Sequence, residues 1–431
     1  MIALTIVALS LISGVDARPN IVLILADDLG YGSLGAYGEK EIPTPNIDSI
    51  AKNGAKMTDG YVSCPICAPT RAGLMTGRYQ QRFGFEHNPG PARQANDKFG
   101  LPIAETTIAE VLKKNGYRTG MFGKWHLGYK PELQPTSRGF DEFYGFLSGA
   151  RSYFPGRRTD ALLRGTKEVT ETEYLTDAFA REAVAFIEQK SEKPFFVYLP
   201  FNAVHAPMEA PAKYTDPFAE LNGTRKAFAG MQAGLDTAVG KVLDAIRKKG
   251  IEKNTAVFFL SDNGGPTQQT TSSNRPLRGV KGQMYEGGIR VPFMVQWQGK
   301  VKPGTVVQDP CFSLDIFPTV LEIAGVSKED RKEKLDGRSL MPVLQGSQSA
   351  LSPRAIFWRM GAQYAVRSGD WKLVSIRGQV ELFNLKSDIA EANDLSEKEP
   401  QKLKELQTLF AVWNKENIAP LWRRSDGGGG E

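Results

Sequence analysis

At 431 residues the chain is longer than one hydrophobic core usually fills, so a large domain with a smaller companion is the first expectation. Hydrophobic residues make up 41% and charged residues 24%, which is typical of a soluble globular protein and excludes the disordered and collagen-like classes. The formal net charge is +6, but Lys and Arg are interspersed with Asp and Glu, so no nucleic-acid-binding arm is predicted.

The N-terminal segment is apolar. Its first 14 residues carry only three polar side chains, and Val15-Asp16-Ala17 is a small-residue cleavage site. This pattern predicts a signal peptide over residues 1–17 and an exported protein, periplasmic or extracellular. A buried first strand is the alternative, because the segment begins without charged side chains. No later stretch reaches the roughly 20 apolar residues of a membrane span, so no membrane-embedded segment is expected.

Apolar, β-rich runs then alternate with helical patterns, which predicts an α/β fold around a largely parallel, buried sheet. The predicted strands are residues 20–26, 119–122, 195–199, 256–260 and 291–297. Apolar residues at three- and four-residue spacing predict helices between and after them. These helices are residues 108–115, 175–189, 227–248 and 313–324. Together the elements predict a large domain over residues 18–346.

The pattern changes after the polar linker at residues 346–349. Short apolar runs separated by turn residues predict a small antiparallel sheet. Its strands are residues 355–359, 364–367, 371–376 and 381–384, and an amphipathic helix follows at 400–417. We therefore expect a small C-terminal α+β domain over residues 350–424 and a flexible glycine-rich tail over 425–431.

Polar side chains directly follow four of the predicted strands of the large domain. They are Asp27 and Asp28 after the first strand, Lys124 and His126 after the second, His205 after the third, and Asp262 and Asn263 after the fourth. In parallel α/β sheets, ligands bind beyond the carboxyl ends of the strands. The sequence therefore predicts an active site at this edge of the sheet.

Two adjacent pairs in this set supply only oxygen ligands: Asp27 with Asp28, and Asp262 with Asn263. Oxygen ligands favour Ca²⁺ or Mg²⁺ over zinc or copper, and neighbouring carboxylates repel each other without a cation between them. Each pair alone is equally typical of a turn or a strand-end cap. Taken together at one edge, the two pairs favour a metal site.

The chain contains three cysteines, Cys64, Cys67 and Cys311, which are too few for a disulfide framework. The C-x-x-C spacing of the first two is typical of a redox pair or of half a zinc site. No second cysteine pair exists to complete such a zinc site, and the chain has only three histidines. We expect Cys64 to be a small buried residue.

Residues 67–78, CAPTRAGLMTGR, resemble the signature of the type I sulfatases, which is Cys-x-Pro-x-Arg followed by Thr-Gly-Arg. The resemblance implies an alkaline-phosphatase-like fold and the hydrolysis of sulfate esters. It also implies that a formylglycine-generating maturation enzyme converts Cys67 to formylglycine (3-oxoalanine), whose hydrate is the nucleophile. Pro69 suits the first turn of a helix, which places Cys67 at a helix N-terminus that favours an anionic ester.

The resemblance also assigns roles to single positions. The calcium ligands would be Asp27, Asp28, Asp262 and Asn263, with the formylglycine at Cys67 facing the ion. Arg71, Lys124 and Lys281 would hold the sulfate oxygens. His205 would protonate the leaving alcohol, and His126 would take the proton that releases sulfate from the covalent intermediate.

Several loop residues are candidates for contacts with the rest of the substrate: His87, Arg151, Tyr153, Arg157 and Arg158. Functional residues concentrate on loops, although a loop histidine or a surface arginine is often only structural or solvated. With the predicted export, these candidates indicate a sulfated carbohydrate or polysaccharide as the substrate.

Two other functions compete with this prediction. A phosphate mono- or diesterase of the same superfamily would share the fold, but the two-zinc phosphatases there need more histidines than this chain has. A catalytically inactive protein that binds sulfated glycans would keep the fold and lose the chemistry. Every catalytic position that the resemblance implies is occupied by the expected residue in this chain, which favours the enzyme.

Overall fold

The structure is a computed structural model that describes residues 18–96, 98–156, 160–327 and 333–422. The predicted signal peptide at 1–17, the substrate candidates Arg157 and Arg158, and the predicted tail at 425–431 lie outside the described residues. Among the described residues, no helix is both long and apolar enough to cross a bilayer.

The strands of the described chain are numbered in chain order. They are β1 Asn20–Ala26, β2 Ala55–Met57, β3 Gly60–Tyr61, β4 Arg118–Lys124, β5 Glu142–Phe146, β6 Leu163–Arg164, β7 Lys167–Glu168, β8 Phe195–Pro200, β9 Thr255–Ser261, β10 Phe293–Gln296, β11 Thr305–Val307, β12 Cys311–Phe312, β13 Ala355–Met360, β14 Gln363–Ser368, β15 Trp371–Ile376 and β16 Gln379–Asn384.

The α-helices are numbered in the same way. They are α1 Pro45–Lys52, α2 Cys67–Thr76, α3 Ile108–Lys114, α4 Leu175–Glu188, α5 Ala212–Thr215, α6 Gly223–Lys248, α7 Thr267–Thr270, α8 Glu286–Ile289, α9 Ile316–Ala324, α10 Met341–Leu344 and α11 Pro400–Asn414.

A ten-stranded sheet organises the large part of the molecule, in the order β11-β2-β10-β9-β1-β8-β4-β5-β6-β7. Its central strands β9, β1, β8, β4 and β5 are all parallel to their neighbours in this group. The last predicted strand, β10, pairs antiparallel with β9, so the sheet is mixed at its edges. The predicted α/β fold with a mostly parallel central sheet is confirmed.

Strand β1 shows why this sheet is buried on both faces. All seven of its residues are buried. Ile21, Leu23 and Leu25 pack in the core layer that contains α2, α3 and α9, whereas Val22 and Ile24 pack in the layer that contains α1, α4 and α6. Successive side chains of a strand point to opposite faces, so a continuous apolar run is required where helices cover both.

The C-terminal region contains a second, four-stranded antiparallel sheet in the order β13-β14-β15-β16, with α11 packed against it. This sheet and helix match the prediction, although α11 ends at Asn414 rather than at residue 417. The sheet shares a hydrophobic cluster with the large part of the molecule, in which Trp358 packs beside Tyr61 and Phe312. The C-terminal sheet is therefore anchored against strands β3 and β12 of the large part.

The parallel strands β9, β1, β8 and β4 are neighbours in the large sheet and run in one direction. Their carboxyl ends consequently lie at one edge. This edge carries every polar residue that the sequence predicts to follow those strands.

Candidate active site

Asp27 and Asp28 leave the end of β1 in a backbone arrangement fixed by both neighbouring strands. Asp27 N donates to Ala203 O (2.9 Å), Val204 N donates to Asp27 O (2.7 Å), and Asp262 N donates to Ala26 O (3.0 Å). Asp28 adopts a left-handed backbone conformation with φ of 63°. Such a conformation costs a non-glycine residue on the order of 1 kcal/mol or more and is concentrated at functional sites.

Helix α2 presents Cys67 to this edge. Cys67 is its first residue, and every residue of the helix is buried. The thiol Sγ lies 3.5 Å from Asp27 Oδ1. The helix stops at Gly77, whose φ of 65° closes the last turn and whose missing Cβ would lie 2.7 Å from Phe317. Glycine in the Thr-Gly-Arg part of the signature is thus required by conformation and by packing.

The N-terminus of α2 has a side-chain acceptor that the sequence did not indicate. Ala68 N donates to Asn88 Oδ1 at 3.0 Å, although the two residues are 20 positions apart. This contact ties the turn after the signature to the first helical residues. No local sequence pattern predicts this contact, because most of helix α2 and the turn after it lie between the two residues.

The carboxylates of Asp27, Asp28 and Asp262 and the Cys67 thiol form a buried group, with one ligand atom from each lying within 4.8 Å of all the others. Asn263 joins them by donating from Nδ2 to Asp28 Oδ1 (2.7 Å), and its buried Oδ1 has no hydrogen-bond partner. Three clustered carboxylates beside an unused amide oxygen match the donor set of a hard divalent cation. The structure therefore brings together all the sequence-predicted metal ligands.

Basic side chains surround the carboxylates. Lys124 Nζ lies 2.7 Å from Asp27 Oδ2, and Lys281 Nζ lies 2.9 Å from Asp28 Oδ1. Lys124 is fully buried, and Lys281 keeps 14% of its side chain exposed. The ammonium groups of both lysines therefore lie where they could contact an anion bound beside Cys67.

Arg71 has a different set of contacts. Its Nη2 lies 2.7 Å from Asp262 Oδ2, its Nε donates to the same oxygen (3.0 Å), and its Nη1 donates to Lys124 O (3.0 Å). The side chain is fully buried. Arg71 therefore orients Asp262 and the end of β4, and it contributes positive charge to the edge from inside the protein.

The two histidines differ in the hydrogen bonds of their rings. His205 Nε2 is 3.7 Å from Asp28 Oδ2, and its Nδ1 is 2.6 Å from Ala206 O. Because a carbonyl only accepts, Nδ1 carries the hydrogen and Nε2 faces the site. His126 has a left-handed backbone with φ of 59°, and its buried Nδ1 has no hydrogen-bond partner.

Burial and charge shift the pKa values of these groups in opposite directions. Burial favours a raised pKa for Asp27, but Lys124, His205 and Arg71 together lower it well below its ordinary value. Burial raises the pKa of Asp262 to about 6, to which Asp27 also contributes. An additional positive charge at this point would favour the ionised form of both carboxyl groups.

The remaining titratable groups follow the same causes. Burial lowers the pKa of His205, and Lys281 lowers it further. Burial also lowers the pKa of His126, with Lys124 as the next cause. Both imidazoles are therefore neutral around pH 7. The pKa of the Cys67 thiol is raised by burial, so the unmodified side chain is a weak nucleophile there.

The substrate candidates take different positions. His87 is half-buried beside the β13–β14 turn, where a Cβ on Gly361 would lie 3.6 Å from its Cε1. Together with Glu86, Arg359 and Ile418 it lines a cavity of about 520 Å³. Arg151 is half-buried.

Tyr153 does not line an open cleft. Its side chain is fully buried and its hydroxyl donates to Asn202 O and to His205 O, the latter at 2.8 Å. It therefore supports the backbone on which His205 sits. Cys64 is fully buried, and its hydroxyl-bearing neighbour Thr70 donates to its carbonyl at 2.7 Å.

Comparison with known proteins agrees with this geometry. The family model described as Sulfatase matches residues 19–326, well over half of the chain. The chain belongs to the sulfatase family. A second model, described as the C-terminal region of N-sulphoglucosamine sulphohydrolase, matches residues 280–412 of this sulfatase. That match begins at the loop of Lys281 and extends through the C-terminal sheet.

Related sulfatases match most of the chain. Dog N-acetylgalactosamine-6-sulfatase is 34% identical over 84% of this chain and 72% of its own length. Human arylsulfatase A is 36% identical over 82% of this chain and 74% of its own length. A crystal structure of Ps i-CgsB in complex with k-i-k-neocarrahexaose is 36% identical with a TM-score of 0.87, covering 95% of this chain and 96% of that chain. The identification as a type I sulfatase, a sulfuric ester hydrolase, is confirmed.

Proposed function

We propose that this sulfatase hydrolyses sulfate esters of a carbohydrate or polysaccharide with a formylglycine made from Cys67 by a maturation enzyme. The ion would be Ca²⁺, with Mg²⁺ as the second choice, held by Asp27, Asp28, Asp262 and Asn263. One observation carries the proposal: the Cys67 thiol at the N-terminus of α2 lies 3.5 Å from Asp27, within the buried carboxylate group.

The residues at the sheet edge fit both groups. The unused Asn263 Oδ1 and the three clustered carboxylates are oxygen ligands of the kind that a hard divalent cation prefers. When present, the aldehyde hydrate supplies the attacking hydroxyl and the ion supplies charge to the sulfate oxygens. Position 67 lies at a helix N-terminus, where the helix dipole favours an anion.

Lys124 and Lys281 provide the cationic partners of the sulfate group. Each now pairs with a carboxylate, and each has an ammonium group at the same edge as Cys67. Because preorganised charges in a water-poor site stabilise developing negative charge strongly, removing one should cost about 3–4 kcal/mol of barrier. Arg71 acts with them as a fixed buried charge behind Asp262.

His205 is the proposed general acid for the leaving alcohol. Its Nε2 points into the site because Nδ1 is bound to Ala206 O. A sulfate anion beside the imidazole raises its pKa and favours the protonated form that can donate to the ester oxygen. His126 is the proposed acceptor of the proton that accompanies sulfate release, and its unpartnered Nδ1 leaves it free to take one.

A carbohydrate substrate is supported by the surroundings of the site and by the relatives. His87 borders the cavity at the junction with the C-terminal sheet, and Arg151 is a half-buried cation. One relative is named N-acetylgalactosamine-6-sulfatase, and the crystal structure of another is a complex with k-i-k-neocarrahexaose. Arg157 and export through the signal peptide at 1–17 remain part of this proposal.

Two measurements test the proposal together. The mass of the peptide that contains residue 67 should show loss of one sulfur and two hydrogens and gain of one oxygen in protein coexpressed with a formylglycine-generating enzyme. That protein should turn over nitrophenyl sulfate, and Cys67→Ala should not. A strong preference for nitrophenyl phosphate would favour the phosphoesterase alternative. Turnover of aryl sulfates with none of a panel of sulfated oligosaccharides would remove the carbohydrate part.

A further inference from the structure

The loop over residues 278–286 carries Lys281 and lies between the two halves of the site. Lys281 N donates to Gly265 O (3.4 Å), just after the metal-ligand pair at the end of β9. Gly282 N donates to Pro65 O (2.8 Å), two residues before the reactive cysteine. The position of the Lys281 ammonium group is therefore fixed by how this loop is held.

Glu391, in the C-terminal region, binds both ends of that loop. At its start, Arg278 Nη1 donates to Glu391 O at 2.7 Å. At its end, Glu286 N donates to Glu391 Oε2 at 2.7 Å. Glu391 is fully buried and has a left-handed backbone conformation with φ of 50°, which directs its carbonyl and its carboxylate to the two ends.

Lys372 on β15 holds Glu391 in place. Its Nζ lies 2.8 Å from Glu391 Oε1 and 2.8 Å from Glu286 Oε1, and all three side chains are fully buried. A charged side chain that is buried away from water is stable only when it is paired with an opposite charge in good geometry. Lys372 therefore links the carboxylate of Glu391, which accepts a hydrogen bond from the end of the loop, to the carboxylate of Glu286, the first residue of α8.

We propose that Glu391, held by Lys372, is a positioning residue that places Lys281 for sulfate binding and transition-state stabilisation. The C-terminal sheet would thereby contribute to catalysis without touching the substrate. This inference rests on the proposed function of Lys281. It has a quantitative consequence, because displacing a catalytic charge by about 1 Å can cost on the order of 10²-fold in rate.

The decisive experiment is a double-mutant cycle with matured enzyme and nitrophenyl sulfate. Glu391→Ala should lower kcat by about 10²-fold with a smaller change in KM, because the lost contact with Glu286 N lets the loop move. In a Lys281→Ala background, Glu391→Ala should cost almost nothing more, since its effect passes through the missing lysine. Equal losses in both backgrounds would show a merely structural role and overturn the proposal.

A second readout does not depend on turnover. Amide hydrogen exchange of the 278–286 segment should be faster in Glu391→Ala than in the wild type, and unchanged exchange would overturn the proposal even if activity fell. If the wild-type enzyme has no sulfatase activity, the proposed function fails, while the exchange result still decides how the loop is held. Should Glu391→Ala not fold, Arg278→Met breaks the other end of the same connection and gives the same test.

Two variants serve as matched controls. Glu391→Gln keeps an oxygen acceptor for Glu286 N, so it should retain most of kcat and normal exchange in the loop. Arg354→Met removes a different buried ion pair of the C-terminal region, with Asp315 Oδ1 at 2.7 Å. It should lower stability yet leave kcat and loop exchange unchanged. Loss of kcat in Arg354→Met equal to that in Glu391→Ala would contradict a specific role for Glu391.

Discussion

Two buried ionic clusters lie within this sulfatase, and they are built differently. At the sheet edge, Asp27, Asp28 and Asp262 are close together, and the nearby polar atoms Asn263 Oδ1 and His126 Nδ1 have no hydrogen-bond partner. In the second cluster, Glu286 and Glu391 share the Lys372 ammonium group at 2.8 Å each, and Glu286 also binds Tyr61 and Arg290.

The difference separates a structural cluster from a functional one. Buried carboxylates cost stability unless they are paired, and the second cluster meets this requirement with cations of the chain itself. The first cluster instead places three carboxylates and the amide oxygen of Asn263 together, a set of oxygen ligands typical of a hard divalent cation. The predictions below test whether the first cluster depends on added groups and the second does not.

The largest expected effect concerns chemistry at the first cluster. Cys67→Ala should lower sulfatase activity by at least about 10⁴-fold, because alanine has neither a thiol nor a hydroxyl that could be converted to an aldehyde and loss of a nucleophile costs up to about 10⁶-fold. Measurement of nitrophenyl sulfate turnover checks this expectation. The variant should unfold at the same temperature as the unmodified wild type, and residual turnover near the wild-type rate would contradict a role for position 67.

The next effect concerns the second cluster. Lys372→Met should reduce the free energy of unfolding by about 3–5 kcal/mol, because it leaves Glu286 and Glu391 buried without their shared cation. Urea unfolding measures it. Lys402→Met provides the matched control, because its pair with Glu405 is partly exposed and should be worth under about 1 kcal/mol. Equal effects of the two variants would contradict the distinction between buried and exposed pairs.

Removal of calcium should affect the first cluster alone. A chelator should abolish activity, and restoring Ca²⁺ at about 100 times its Kd should add about 2.7 kcal/mol to the free energy of unfolding. Thermal unfolding with and without Ca²⁺ measures the change. Glu391→Gln should show the same calcium effect, whereas Asp262→Asn should show a much smaller one. An unfolding temperature that changes neither with the chelator nor with added Ca²⁺ would argue against a metal at the sheet edge.

The smallest effect is a change in the pH dependence of stability. Burial raises the pKa of Glu391 to about 7, with Lys372 opposing the rise and Glu286 adding to it. The folded chain then binds a proton that the unfolded chain releases near the ordinary value of 4.5. The free energy of unfolding should therefore fall as pH rises through this window, by up to about 1.4 kcal/mol per pH unit.

Glu391→Gln removes this titration. Its stability should match that of the wild type near the acidic end of the window and exceed it above the folded-state pKa, because the amide never ionises. Urea unfolding at a series of pH values compares the two proteins. Parallel pH profiles would mean that Glu391 titrates in the folded protein as it does in the unfolded chain.

The sequence predicted the central fold well because its signals are local. The runs at 20–26 and 371–376 coincide with β1 and β15, since continuous or alternating apolar residues determine burial directly. Helix α6 begins four residues before the predicted residue 227, where Gly223 to Lys226 offer no apolar period. Strands of only two residues, such as β6 and β12, are too short to produce a pattern.

Part of the site was predictable from the rule that ligands bind beyond the carboxyl ends of parallel strands. That rule places Asp27, Lys124, His205 and Asp262 at one edge, where the structure has them. It does not reach contacts that join distant segments. Arg71 binds Asp262 across 191 positions and Glu286 N binds Glu391 across 105, and neither pairing leaves a periodic trace in the sequence.

The complete burial of helix α2 has a consequence for the order of events in the cell. A thiol with no exposed surface at Cys67 cannot be reached by a second protein once the chain has folded around it. Any enzyme that modifies this side chain must therefore act before the chain has folded, during or soon after synthesis. If activity requires the proposed conversion of Cys67, rapid folding around the signature segment would leave the side chain as a thiol, and the rate of folding would help to determine the fraction of active molecules.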